Sequence, residues 1–342
     1  MSKDDAREPV FESPVGRMSA EAVSEMLRRG QAVTDEVRER ALHLASGRSG
    51  ERPPSSGYPR VIGAVITTGL QPDLRHPFFS EVLEGVKERA VAGRYDLILF
   101  SGHATDDFVA EFSYVSRCRR HNIDGVILMG VGRTDPELVH LLEEGVPTVA
   151  VDLDLIGSRA GYVTSENVES AAAVVQYLHA LGYERIAHIS GIMDTLPGTN
   201  RVLGYRSGLE REKLPFRDEY LVEGDFYEPS GFAAMRRLLA LEKRPEAVFC
   251  ASDMSALGAI RAAHEEGLGV PEDVAVVGFD DDGFAAVMEP GLTTVRQDKA
   301  GLGASACEAL MRIIETDEAE PPVAILSTEL IVRESCGAAL LA

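Results

Sequence analysis

Cysteine is scarce in this 342-residue chain, and the four that occur, Cys118, Cys250, Cys307 and Cys336, form no C-x-x-C pair and no metal-ligand spacing. Neither a disulfide scaffold nor a structural zinc site is expected, and the four thiols read as reduced and mostly buried. Long apolar runs are absent too, so no membrane span is expected. The opening residues MSKDDAREP lack a basic region followed by an apolar stretch, so no secretory signal is expected and the protein is placed in the cytoplasm. H-E-x-x-H, G-x-S-x-G and G-x-x-x-x-G-K-[ST] are all missing. His76, His103 and His121 are not at ligand spacing, and His188 sits inside an apolar strand, a core position. Paired acids such as Asp106-Asp107 do not by themselves establish a glycosidase. No catalytic residue, metal or cofactor is therefore expected. Positive charge is also in deficit: the formal net charge of −21 excludes a chain that coats nucleic acid through bulk electrostatics.

What is present suits a soluble globular protein, with 45% hydrophobic and 26% charged residues. The length exceeds the usual single domain, so two or more packing units are expected. Residues 1–60 carry 10 Lys+Arg against 10 Asp+Glu, so the acidic excess lies entirely beyond them. This marks a separate N-terminal module. The stretch ASGRSGERPPSSGYP, residues 45–59, cannot bury a face and forms the clearest boundary. We therefore divide the chain into a module at 1–46, a linker at 47–59 and a main domain at 60–342.

Beyond the linker, apolar runs alternate with amphipathic segments. RVIGAVIT reads as a strand, FFSEVLEGVKERAVA as a helix and YDLILF as a strand, and the rhythm continues through DGVILMG, PTVAVD, RIAHISG, EAVFCAS and DVAVVGFD. Strands apolar throughout, each followed by a helix, imply an α/β fold with doubly wound parallel sheets covered on both faces. The strands are too many for one such sheet, so two lobes are expected. We place one at about 60–161 and 293–322, the other at about 162–292 and 323–342. The short tail strands are expected to return to both sheets.

Ligands in open parallel sheets bind beyond the carboxyl ends of the strands. The segments there are rich in carboxylates, hydroxyls and an arginine, with rings at Phe78, Phe79, Phe226 and Tyr227. Such an inventory suits a polyol, since carboxylates and guanidinium pair with hydroxyls and rings cover a sugar's apolar face. Each residue also has a plainer reading. Asp107 and Asp135 fit helix caps, Asp280-Asp281-Asp282 fits a solvated turn, and Arg201 fits a surface charge. A dinucleotide site is a competitor, because Gly130-Val131-Gly132 follows a strand and Asp152 ends the next one. Asp135, however, stands where a third small residue belongs, and a carboxylate there repels a pyrophosphate.

Motifs in order then decide the matter. HPFFSEVLEGVKERA, IDGVILMG, VPTVAVD, TSENVESAAAVVQYLHALGYERIAHISG, RVLGYRSGL, AVFCASDMSALGAIRAAHEEGLGVPEDVAVVGFDD and PGLTTVRQD resemble the LacI/GalR family of bacterial transcription regulators. The resemblance implies a type I periplasmic-binding-protein-like sensor, a homodimer, whose lobes close on an effector, which the strand-end inventory reads as sugar-like. It implies effector contacts at Asp152, Arg201, Phe226, Ser252, Asp280 and Gln297, with Phe78 from the strand-end inventory. Ser252-Asp253 stands where relatives often have Asn-Asp. Replacing Arg201 or Asp280 by alanine is expected to abolish effector binding and leave the melting temperature nearly unchanged.

In the N-terminal module, residues 18–46 resemble a recognition helix and its successor in a divergent helix-turn-helix. The implied operator contacts are Ser19, Ala20, Ala22 and Ser24. Glu21 and Glu25 share a face of that helix, and Pro9 and Pro14 would break a helix before it. The linker has no leucine to wedge into a minor groove. Two functions follow: a regulator that couples effector binding to DNA binding, or a sensor with a decayed DNA module that acts without operator recognition.

Overall fold

The computed structural model describes residues 10–13, 16–19, 60–66, 76–101, 113–316 and 322–338. The chain divides into two compact units, Met1–Tyr58 and Pro59–Ala342. In the first, β1 (Val10–Ser13) pairs antiparallel with β2 (Gly16–Ser19), Val10 opposite Ser19 and Ser13 opposite Gly16. This corrects the reading of residues 18–46 as helical from their start: Met18 and Ser19 are strand residues. The physical reason is the pairing itself, which sets Met18 opposite Phe11 and Ser19 opposite Val10. Ala20, Ala22 and Ser24 lie outside the described residues.

The larger unit holds two parallel sheets. The first has the order β13-β7-β6-β5-β3-β4. Its strands are β3 (Arg60–Ile66), β4 (Tyr95–Ser101), β5 (Gly125–Met129), β6 (Thr148–Val151), β7 (Ala160–Ser165) and β13 (Val323–Leu326). Alternation along β3 sends Ile62, Ala64 and Ile66 to one face and Val65 to the other. The first face packs on α1 (Pro77–Ala92) and α8 (Lys299–Glu315), the second on α2 (Tyr114–Arg120) and α3 (Glu137–Glu143). Helices α1 and α8 touch backbone to backbone: a Cβ on Gly85 would sit 1.9 Å from the Ala300 carbonyl oxygen.

The second sheet has the order β11-β10-β8-β9, all parallel, from β8 (Ile186–Ser190), β9 (Leu221–Glu223), β10 (Ala247–Cys250) and β11 (Ala275–Val277). α6 (Glu228–Leu239) and α7 (Asp253–Glu265) cover one face, α4 (Asn167–Ala180) and α5 (Leu196–Arg211) the other. A ribbon of β12 (Thr294–Gln297) and β14 (Thr328–Ile331), antiparallel, lies beside β11 through bridges at Val277–Thr293 and Asp280–Arg296. The chain therefore crosses between lobes three times, after β7, after β12 and after β13.

Three lobe limits differ from those read in the sequence. β7 runs through the boundary placed between 161 and 162, β12 lies beside β11 of the second sheet although residues from 293 were placed in the first lobe, and β13 pairs with β7 in the first sheet, not the second. β7, with the sequence AGYVTS, shows no apolar run, because Gly161 and the hydroxyl residues interrupt it. Gly161 is required there: a Cβ would lie 2.1 Å from the Pro322 carbonyl oxygen on β13's approach.

All four cysteines are free and buried, and burial pushes the Cys118 and Cys307 thiols up to about 11. His188 is a core residue as read: it is fully buried on β8, its Nδ1 is 2.8 Å from the Phe249 carbonyl, and its ring stacks on Phe249. Burial depresses it to about 4. A histidine whose folded pKa is depressed contributes stability above its unfolded value, about 6.5, and that contribution is lost as pH falls toward 4. We expect a contribution on the order of 3 kcal/mol to disappear over that window. In His188→Asn, which keeps an N–H donor but does not titrate, urea denaturation should show a correspondingly flatter pH dependence between 6.5 and 4.

Candidate functional site

The carboxyl ends of both sheets face a cleft with about 680 Å³ of empty space, part of it open to solvent. Five of the seven effector residues expected from the sequence line it: Phe78, Asp152, Arg201, Phe226 and Asp280. Asp152 follows β6, Phe226 follows β9 and Asp280 follows β11, while Phe78 rides on the first turn of α1 and Arg201 on the second turn of α5. Among the described residues seven non-glycine positions have positive φ, and Asp152 (58°), Phe226 (74°) and Asp280 (122°) are three of them. Such backbone is strained, and three of these positions lie at one cleft.

Arg201 is the hub. Only 3% exposed, it donates from Nε to Asn167 Oδ1 (2.8 Å) and from one terminal nitrogen to the Ala251 carbonyl, and it lies 3.8 Å from Asp280 Oδ1. Its guanidinium carbon sits 3.7 Å from the centroid of Phe279. On one side the network continues through Asn167 Nδ2 to Thr164 Oγ1 (3.2 Å) and from that hydroxyl to Asp152 Oδ1 (2.6 Å). On the other, Gln297 Nε2 donates to Asp280 Oδ1 (2.6 Å). Thr164 belongs to the first lobe, Arg201 and Asp280 to the second, and Gln297 to a crossing strand.

Gln297 and Ser252 thus sit behind the cleft wall. Ser252 caps α7 by accepting from the Ser255 N–H (3.0 Å), and its hydroxyl donates to the Phe226 carbonyl (2.7 Å). It holds the backbone that presents the Phe226 ring. That ring rests against Gly191, where any Cβ would be 1.9 Å from it.

Sequence reasoning missed His76 as a site residue. It caps α1, with Nδ1 accepting from the Phe78 N–H (3.3 Å), which places the ring proton on Nε2. Nε2 is buried on the cleft wall without a hydrogen bond of normal geometry, although the Phe226 carbonyl acts on the ring. Tyr227 and Phe79 approach the ring edge-on at 5.0 and 5.8 Å. Burial keeps the imidazole below its usual range, with Asp282 opposing, so it is a neutral donor. The signal available in the sequence was its place directly before the Pro at the start of a helix.

Carboxylates dominate the electrostatics. Burial, reinforced by Asp282 and opposed by Arg201, pushes Asp280 up to about 7. Burial likewise raises Asp152, and with Asp280 and Asp282 nearby raises Asp253. Asp282 is not the solvated turn that the sequence also allowed: it is buried and accepts from Lys299 Nζ at 2.8 Å. Burial alone would lower the Lys299 ammonium, but Asp282 and Asp280 outweigh it and hold it high. The dinucleotide alternative fails on geometry, because Asp135 Oδ1 accepts from the Glu137 N–H (2.9 Å) at the very start of α3. A pyrophosphate would need that place.

Comparison with known proteins agrees with this architecture. Residues 175–336 match the periplasmic binding protein-like domain. Over 262 residues the chain is 34% identical to the HTH-type transcriptional repressor PurR of Pectobacterium atrosepticum, covering 76% of each. It belongs to the LacI/GalR family of transcriptional regulators. PurR of Erwinia tasmaniensis is 32% identical over 327 residues, 93% of each chain. Among solved structures, the transcriptional regulator CelR in complex with cellobiose matches with a TM-score of 0.73 and 29% identity, over 93% of this chain and all of that one. A LacI family transcriptional regulator from Mycobacterium smegmatis matches with a TM-score of 0.71 and 28% identity, over 80% and 98%.

The burial of Arg201 overturns the expectation that its removal leaves the melting temperature nearly unchanged. Arg201→Ala takes the cation from buried Asp280 and removes the donors that Arg201 gives to Asn167 Oδ1 and the Ala251 carbonyl. Breaking a buried pair in this way costs about 3 kcal/mol or more. Urea denaturation of Arg201→Ala should show that loss; a midpoint within error of the parent protein would show that the network carries no stability.

Proposed function

We propose that this regulator closes on a neutral, hydroxyl-rich effector such as a sugar, and that closure changes how a homodimer holds operator DNA. The observation that carries the reading is the convergence of Asp152, Arg201 and Asp280 beneath the rings of Phe78, Phe226 and Tyr227. Their remaining hydrogen-bonding capacity, together with His76 Nε2, suits alternating hydroxyl groups, and the rings suit the apolar face of a pyranose or a base. Among the described residues Asp152, Asp225 and Asp280 outnumber the one guanidinium that lines the cleft, which disfavours phosphorylated or carboxylated ligands. The cellobiose bound by CelR, a relative in fold, is such a neutral polyol.

Operator binding is assigned to the N-terminal module. A match over 93% of the chain to a helix-turn-helix repressor must run into the first 58 residues, which supports this assignment. The regulated direction, by analogy with relatives named repressors, is repression in the cytoplasm, and no enzymatic role is assigned. No helix among the described residues is long and apolar enough to cross a membrane.

The test is a thermal-shift panel of neutral mono- and disaccharides beside the matching uronates and sugar phosphates. A neutral member should raise the melting temperature, since a ligand at a hundredfold its Kd stabilises by about 2.7 kcal/mol. Its charged counterparts should not. The same ligand should alter a salt-sensitive mobility shift on the DNA upstream of the protein's own gene. Stabilisation by the anionic members alone would overturn the charge argument, and absence of any shift with or without ligand would overturn operator control. His76→Asn keeps the cap on α1 and removes the Nε2 donor; it should fold normally and bind the identified effector about tenfold more weakly, as expected for one lost hydrogen bond. Unchanged affinity by calorimetry would remove His76 from the site.

A further inference from the structure

The Gly130-Val131-Gly132 loop, which resembles part of a nucleotide fingerprint, has another task. It leaves β5 with Gly130 at φ 65° and delivers Arg133 and Thr134 to the edge of the cleft. There the loop, from the first lobe, is hydrogen-bonded to the segment that opens α5 in the second. The Arg133 backbone N–H donates to the Asp194 carbonyl (3.0 Å), and Thr134 Oγ1 donates to Asp194 Oδ2 (2.8 Å). One terminal nitrogen of Arg133 donates to Thr199 Oγ1 (2.9 Å). Within its own lobe Asp154 grips the rest of that guanidinium in a fork, Nε to Oδ1 at 2.7 Å and the other nitrogen to Oδ2 at 3.1 Å.

We infer that Arg133, Thr134 and Asp194 form a clasp that holds the two lobes closed and sets how much of the ligand-free protein is competent to bind. Three features favour this over incidental surface contact. The bonds join residues about 60 positions apart on opposite lobes, and one of the three is made by the backbone itself. Asp154 fixes the guanidinium in a single orientation before it reaches across, so little side-chain freedom is lost on closing. The clasp also shares its loops with the cleft, since Gly130 and Val131 on one side and Ile192 and Thr195 on the other line it. Opening the clasp therefore withdraws two walls of the binding site together.

Arg133 is a positioning residue: it acts through the lobe angle. The inference takes the two-lobed cleft as given but does not depend on what the effector is, because closure is measured without one. Glu143 on α3 and Glu210 on α5 are exposed and lie on opposite lobes, while the native cysteines are buried and will not take a label. Spin labels at Glu143→Cys and Glu210→Cys, read by pulsed dipolar spectroscopy in the ligand-free protein, should give one narrow distance distribution. Adding Arg133→Ala and Asp194→Ala should produce a longer population, with the closed-to-open ratio falling about tenfold or more for the two bonds lost. Thr134→Val, which removes one exposed hydroxyl and does not threaten the fold, should shift the ratio in the same direction by a smaller factor. Distributions identical to the parent protein in both variants would overturn the clasp. A longer population in Thr134→Val with unchanged circular dichroism supports it even if the double variant folds poorly.

Discussion

A guanidinium ion sealed inside the protein is the constraint around which the rest of this structure is arranged. Arg201 and Asp280, 3.8 Å apart, attract one another by roughly 4 kcal/mol at an effective dielectric of about 20. That does not offset removal of both ions from water, which costs several kcal/mol each. The pair is tolerable only because Asn167, the Ala251 carbonyl, Gln297 and the face of Phe279 supply further contacts. These partners come from α4, β10, β12 and β11 respectively or from their ends, so solvating one arginine requires a helix and two strands of the second lobe and a strand at a crossing to be in register. The same requirement leaves the cleft polar at its base and apolar along its walls.

Around that hub the backbone is bent away from comfortable conformations. Asp152, Phe226 and Asp280 all adopt positive φ, and each bend aims a side chain at the cleft. The compensation is local and specific. Asp280 N–H donates to the Val295 carbonyl (2.8 Å), Asp152 N–H to the Val163 carbonyl (2.9 Å), and Ser252 anchors the Phe226 carbonyl. A second buried ion, Lys299, bridges Asp282 of the second lobe (2.8 Å) and Glu81 on α1 of the first (2.9 Å). Charge pairs therefore span the lobes at the base of the cleft, and hydrogen bonds from Arg133 and Thr134 span them at its edge.

Much of this was legible before the structure, for reasons that can be named. Parallel strands buried on both faces must be apolar throughout, so runs such as GVILM and AVFC announce themselves, and strand ends then mark the ligand side. β7 was invisible for the opposite reason. Its glycine admits Pro322 and its Thr164 serves the Arg201 network, so functional demands erased the hydrophobic signature, and the lobe boundaries were misplaced with it. Met18 and Ser19 went astray because their reading rested on resemblance to a helical family and not on a residue pattern. Burial was the other failure: an arginine on an amphipathic helix pattern looks the same whether it faces water or a buried carboxylate.

The distinction between contact and support follows from the same physics. Residues at such a site can serve to hold one another, and here Gln297 and Ser252 do that, one donating to an oxygen of Asp280 and the other fixing the Phe226 carbonyl. What a ligand can meet is the capacity left over. Asp152 and Asp280 each commit one oxygen, to Thr164 and Gln297, and His76 commits Nδ1 to its own helix. The uncommitted carboxylate oxygens accept, while His76 Nε2–H donates. On the function proposed above, a matching ligand offers hydroxyl donors on one side and an oxygen acceptor on the other, and it is selected less by which polar residues are present than by which of their hydrogen-bonding positions the protein has not already used.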